Sequence, residues 1–272
     1  MGRLIFTISL FLLAFIDTSK ANDSTLQLQL VKSVQGDYKS FEVDNLGNVY
    51  LITNNNQLKK LNSNFDSVAT FNDTRRYGTL SFVDVSNPLK LLLFYKDFST
   101  ILVLDRFLNV INTIDLRKQG IQQISSIASS YDNKIWCYDE VENKLKKIDD
   151  NGDVIFESTD FRMLFDNPPA VQKIIDSDGK VYCYNKQMGL LVFDYYGGLR
   201  HKYSILDLDD IEIADNYLQG YKNDSLIKYN LKMLKQSSIK IKSNKYSLVK
   251  RAIQQNLFFV LYSNKFDICK MQ

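Results

Sequence analysis

One outline recurs six times along this chain, and it limits the fold more than any single residue does. It is clearest in residues 132–149, DNKIWCYDEVENKLKKID: a turn, an apolar strand, a polar turn, and a second strand that ends in Asp. Aligned on the start of the apolar strand, the units begin at Asn48, Lys90, Lys134, Lys180, Asn216 and Asn256, at spacings of 42, 44, 46, 36 and 40 residues. A third strand ends 14 or 15 residues after each of the first five starts, at Asn62, Asp105, Asp149, Asp194 and Asn230.

Each unit divides into short runs rich in Val, Ile, Tyr and Phe, punctuated by Gly, Asn and Asp. Residues 44–48 (DNLGN), 150–153 (DNGD), 176–180 (DSDGK) and 196–198 (YGG) supply the residue types that tolerate the positive φ of tight hairpins. No long run carries the period of an amphipathic helix; Arg162–Phe165 is expected to form one helical turn at most. Four antiparallel strands repeated about every 40 residues predict an all-β fold, a β-propeller.

The two ends of the chain fit that prediction independently. After Lys245 only three strands remain, Tyr246–Gln254, Asn256–Ser263 and Lys265–Met271, so the sixth blade lacks its outer strand. Leu26–Val34 (LQLQLVKSV) alternates apolar and polar residues ahead of the first inner strand, Tyr38–Asp44. It is expected to fill the missing place and close the ring, removing exposed sheet edges. The expected architecture is therefore a six-bladed propeller with the last blade closed by the N-terminal strand, about residues 26–34.

Residues 47–65 (GNVYLIT…QLKKLNSNF) and 178–198 (DGKVYCY…LLVFDYYGG) resemble NHL-type repeats. Residues 132–149 are similar to the YWTD propeller repeat, although Cys137-Tyr138 stand where that repeat has Thr-Asp. The resemblance implies a TolB-like six-bladed propeller. It implies no single function, because that fold hosts hydrolases, ligand sensors and protein-binding scaffolds.

The N-terminus reads as a targeting segment rather than as part of the fold. Arg3 precedes the uncharged 13-residue run Leu4–Ile16, and Ser19 and Ala21 place small residues for cleavage after Ala21. The run is too short for the roughly 20 residues that span a bilayer. The expectation is a signal peptide at 1–21, a single propeller domain at 22–272, and export to the periplasm, cell envelope or exterior. No later run is long enough to span a membrane. The Lys-, Asn- and Ile-rich composition suggests a bacterial source. With a net charge of +3 spread over 272 residues, no basic stripe marks a nucleic-acid partner.

The candidate chemistry is sparse. His201 is the only histidine and falls on an outer strand of the fourth unit, far from a propeller channel, so neither a His-based triad nor a multi-histidine zinc site is expected. The acidic runs Asp149–Asp153, Asp176–Gly179 and Asp207–Asp210 could offer oxygens to calcium, but they lack the twelve-residue spacing of a calcium loop and suit hairpin turns. Glu42, Asp44, Asp84, Asp176, Glu212 and Asp215 lie near inner strands, where a lactonase-type metal site would be built. Trp136, Tyr182, Tyr50 and Phe258 are expected to fill the spaces between blades. Cys137 and Cys183 share one offset in adjacent units, so they are expected to point in the same rotational sense as buried, unbridged thiols; Cys269 makes the count odd. Asn22, Asn72 and Asn223 match the N-glycosylation pattern, which matters only in a eukaryotic source.

No catalytic, cofactor-binding or metal-binding residue is assigned. The function expected is a non-enzymatic, monomeric binding or scaffold module that meets a protein or small ligand on one face. The alternative is a metal-dependent, lactonase-type hydrolase with its site in the channel.

Overall fold

Every second strand of the repeat is almost wholly apolar, and the reason is visible in the computed structural model, which describes residues 25–168, 170–241 and 247–272. Six sheets stand around a common channel, so the middle strands are covered on both faces by neighbouring blades. All five residues of Val49–Thr53, of Leu91–Tyr95 and of Ile135–Asp139 are buried. Strands covered on both faces read as continuous apolar runs rather than as alternation. Each fully buried Leu or Phe there contributes roughly 1.5–3 kcal/mol relative to exposure.

From the channel outward, blade one holds Tyr38–Val43, Val49–Thr53, Leu58–Leu61 and Ser67–Phe71. Blade two holds Leu80–Asp84, Leu91–Tyr95, Thr100–Leu104 and Val110–Asp115. Blade three holds Ile124–Ser129, Ile135–Asp139, Lys144–Ile148 and Val154–Glu157, and blade four holds Lys173–Ser177, Lys180–Asn185, Gly189–Asp194 and Leu199–Tyr203. Blade five holds Asp209–Ala214, Tyr217–Lys222, Ser225–Asn230 and Lys235–Ile241. Blade six holds Leu248–Gln254, Leu257–Tyr262 and Lys265–Met271, with Leu28–Gln35 as its outer strand.

The N-terminal strand therefore closes the ring as expected, running antiparallel to Lys265–Met271. It also does more. Thr25–Leu26 departs from blade six and pairs in parallel with Lys240 and Ile241, adding a fifth strand to blade five. One strap thus spans the seam between the last two blades, and Ser33 Oγ donates to the buried Asp267 at 2.6 Å. The segment expected to be a signal peptide lies outside the described residues. Short helical turns are confined to connections; the one expected near Arg162 is the 3-10 turn Phe161–Met163, capped by Asp160.

The Asp or Asn that ends each third strand has a local task. Asp105 Oδ1 accepts the backbone N–H groups of Phe107 and Asn109, both at 2.8 Å, and Asp149 does the same for Asn151 and Asp153. Asn62 and Asp194 repeat the pattern. Three residues on, the backbone turns left-handed, at Gly152 and Gly197 but also at Phe65 and Leu108.

Facing between blades follows strand alternation. Cys137 packs toward blade two and Trp136 toward blade four, while Cys183 faces back onto blade three. The two thiols therefore point in the same rotational sense and are free. The alignment needs one correction. Asn216 and Asn256 are turn residues, since Ala214 pairs with Tyr217 and Gln254 with Leu257 across two-residue hairpins. The strands of blades five and six begin one residue later than the sequence spacing implied. Phe258 therefore fills the seam with blade five, against Tyr221, and Phe259 takes the forward place equivalent to Trp136.

Candidate functional site

The inner strands carry the charged residues that face the channel. Two cavities, of about 540 and 480 Å³, occupy the channel from the face where inner strands begin (upstream) and the face where they end (downstream). They meet at a belt that includes Glu42, Lys173, Asp210 and Lys250. Asp84, Glu212 and Arg251 line the downstream side.

Most carboxylates of this belt already have protein donors. Glu42 pairs with Lys250 across blades one and six. Asp84 accepts the backbone N–H groups of Ser86 (2.7 Å) and Ser129 (2.6 Å), and Asp210 accepts that of Arg251 at 2.9 Å. Glu212 accepts from the Gln219 amide at 2.8 Å. Burial raises the pKa of both Asp210 and Glu212. Lys173 is different: it forms no hydrogen bond or ion pair among the described residues. Burial alone would lower its pKa, but the surrounding Glu42, Glu212, Asp84 and Asp210 hold it above the usual lysine value. It is the built-in counter-cation of the channel.

The repeat breaks at one seam. The forward-facing position of the second strand is Tyr50, Leu92, Trp136 and Tyr182 in blades one to four, and Phe259 in blade six. In blade five it is Gln219, flanked across the sheet by Glu212 and Lys228. An amide cannot fill a seam as a ring does, so the downstream cavity extends from the channel into this cleft, reaching Lys228, Gln254 and Met271. Arg251 lies buried nearby, its guanidinium 4.3 Å from the Tyr221 ring centre and Nη1 donating to the Asn223 carbonyl at 2.8 Å. Its Nε and the Tyr221 hydroxyl have no hydrogen-bond partner among the described residues.

The candidates named from sequence scatter. His201 is exposed on the outer strand of blade four, opposite Val192 and remote from the channel. Of the six carboxylates, Glu42, Asp84, Asp176 and Glu212 line the channel, and each already accepts from a protein donor. Asp44 is buried in a hairpin, holding the N–H groups of Leu46 and Asn48 and the Tyr50 hydroxyl. Asp176 receives the Ser130 hydroxyl, the Trp136 indole N–H and the Tyr195 hydroxyl, at 2.9, 2.9 and 2.6 Å. Asp215 is an exposed turn residue with φ of 53°. The first two acidic runs form hairpin turns, with Asp150 paired to Lys90, whereas Asp207–Asp210 leads into the inner strand of blade five, with Asp209 paired to Lys186. Among the described residues no three His, Cys, Asp or Glu side chains converge to hold a metal ion. Lys173, Lys228, Lys250 and Arg251 escaped the sequence reading, because isolated basic residues in apolar strands carry no motif.

By sequence, the chain matches no known family profile and no curated protein. By structure it is similar to several solved propellers. Over 91% of this chain and 96% of the other, it superposes on the WD40 domain of Pan2 from Neurospora crassa with a TM-score of 0.66 at 9% identity. Virginiamycin B lyase from Staphylococcus aureus gives 0.61 at 11% identity, covering 90% of this chain and 99% of that one. BamB from Moraxella catarrhalis gives 0.53 at 10% identity, covering 90% and 98%. These likenesses establish the class, a six-bladed β-propeller, and at such identities they speak to the fold alone.

Proposed function

We propose that this chain is an exported, non-enzymatic propeller, one domain over residues 22–272, that recognises a ligand or protein partner on its downstream face. The observation that carries the reading is that two openings lie side by side there. The channel cavity and a second hollow of about 570 Å³ share Ser86, Ser129 and Asp176. Convergent polar groups at a concave opening are what a binding site requires. The uncharged run Leu4–Ile16 supports export, and the repeat motifs support an NHL-like kinship.

The hydrolase alternative has less behind it. The channel carboxylates are engaged by Lys250, Gln219 and backbone N–H groups rather than gathered on one point. His201 stands on the outer rim. The test is metal analysis of the purified protein together with a lactone and ester hydrolysis screen. Stoichiometric calcium or zinc, with turnover lost in Glu42→Gln and Glu212→Gln, would overturn the binding reading. Photo-crosslinking from position 196, at the tip of the downstream face, should trap the partner in cell-envelope fractions; cross-links only from the outer rim at position 201 would refute the choice of face.

A further inference from the structure

The second hollow has features that neither the fold nor the channel needs. Tyr131 and Tyr195 stack at its rim, with ring centres 4.7 Å apart and planes inclined by 16°, and Trp136 continues the stack beneath at 6.3 Å from Tyr195. Tyr131 is 69% exposed, so its ring adds little to the core. The stack is nonetheless held firmly. Asp176 fixes Tyr195 and Trp136 through their polar hydrogens, and Lys147 sits 5.2, 4.9 and 5.6 Å from the ring centres of Tyr131, Trp136 and Tyr195. Lys147 is itself clamped by Asp132 at 2.7 Å. A rigid aromatic platform presented to solvent is pre-organised for contact.

The chemistry of the walls selects what can sit there. Beyond the rings the hollow is lined by Ser86, Asn87, Ser129, Ser177 and Asp178, and Ser129 Oγ is buried with no hydrogen-bond partner among the described residues. A cationic ligand would meet Lys147 already occupying the cation–π position, while an anionic one would meet Asp176 and Asp178. A purely apolar ligand would leave the hydroxyl and amide groups unpaired, which is costly. The surviving class has one apolar C–H face for the ring quadrupole and a rim of hydroxyls for Ser, Asn and Asp.

We propose that this hollow binds a pyranose ring of a neutral saccharide, stacked on the exposed face of Tyr131, which Tyr195 backs from behind, with further sugar units directed along Ser86 and Ser129 toward the channel mouth. The proposal rests on the downstream face being the recognition surface, and it adds the class of ligand. Trp136 is the only tryptophan, and its bond to Asp176 makes its fluorescence a reporter of the hollow.

The test is fluorescence and calorimetric titration of the full mature chain with soluble neutral gluco-, manno-, galacto- and xylo-oligosaccharides, in both α and β linkages. At least one should bind saturably, and Tyr131→Ala should weaken it by about tenfold or more. Tyr131→Phe should keep the affinity, and because Tyr131 is exposed both variants should melt with the parent. No binding by any oligosaccharide at about 10 mM overturns the proposal, as does binding that Tyr131→Ala leaves unchanged. If no saccharide binds but position 196 still traps a partner, the ligand class falls and the recognition face stands. If neither occurs, both fall.

Discussion

Lys146 offers the sharpest test of the packing described above, because its charge is buried where the repeat is most regular. Its side chain is 3% exposed and Nζ lies 3.0 Å from Asp139 Oδ2, on a carboxylate 1% exposed. Glu142 at 3.0 Å and Glu157 at 3.6 Å add a partly exposed fringe. Replacing Lys146 by Met keeps the aliphatic stem and removes the charge, so Asp139 is left with only the backbone N–H groups of Val141 and Glu142. Removing one partner of a buried pair costs about 3–5 kcal/mol. The two surviving donors place this case at the low end, while the half-exposed fringe contributes about 0–1 kcal/mol. For a domain of this size, about 3 kcal/mol lowers Tm by roughly 6–12 °C. Asp139→Asn with Lys146→Met removes both charges together and should cost only about 1 kcal/mol, so the coupling in a double-mutant cycle is about 2 kcal/mol plus whatever Asp139→Asn costs alone. Calorimetric and chemical melts of the three variants decide it. A Lys146→Met loss below about 1 kcal/mol, or one equal to the double variant, would refute the claim that Asp139 depends on Lys146.

Three further outcomes are expected. Burial pushes the Cys137 thiol up to about 12 and raises Cys183 as well; a thiol reagent at pH 8 should therefore modify at most Cys269 in the native protein and all three thiols after denaturation, and rapid native labelling of Cys137 would contradict the blade packing. Gly189 has φ of 88°, and a Cβ there would lie 2.2 Å from the Tyr203 carbonyl oxygen, so Gly189→Ala should cost on the order of 3 kcal/mol, read as a fall in Tm. Burial raises the Glu212 pKa even against the pull of Lys173 and Lys250. The folded chain therefore holds that proton more tightly than the unfolded chain, and the contribution of Glu212 to stability declines as pH rises from its unfolded pKa of about 4.3 through the folded value. Glu212→Gln, neutral throughout, should melt higher than the parent at pH 8, with the gain vanishing near pH 3; a gain independent of pH would exclude Glu212 as its source.

How much of this was legible depended on how local the cause was. The Asp or Asn ending the third strand of blades one to four was readable because its whole task, accepting the N–H groups two and four residues on, lies within one turn. The strap was readable because the last unit lacked a strand and the N-terminus had one to spare. Channel facing was not. Inner and second strands slip register between Tyr38 and Ser40, Leu80 and Phe82, Ile124 and Ser126, Asp209 and Glu212, and Leu248 and Lys250. Each bulge reverses the alternation that a sequence count relies on. Glu42, Lys173 and Lys250 could be located on inner strands, but their convergence could not be counted out.

The third strand shows why function gathers at the exceptions. Opposite the forward ring of the second strand, blades one and three carry a lysine: Lys60 lies 5.3 Å from the Tyr50 ring centre and Lys147 4.9 Å from that of Trp136. There the ring supplies apolar contact for the stem and a negative face for the ammonium, so the lysine is a packing residue that also seals the seam. Blade five keeps the lysine, Lys228, but faces it with Gln219. The same position, having lost its ring, cannot close the seam and instead lines the cleft that opens from the channel. Blade three keeps its ring and adds Tyr131, which with Tyr195 from blade four extends the stack out of the seam and into solvent. One departure subtracts an aromatic and makes a polar cleft; the other adds aromatics and makes a platform. Both open on the downstream face, where Ser86, Ser129 and Asp176 line the channel cavity and the hollow beneath the platform alike, so two seams that depart from the repeat share one surface.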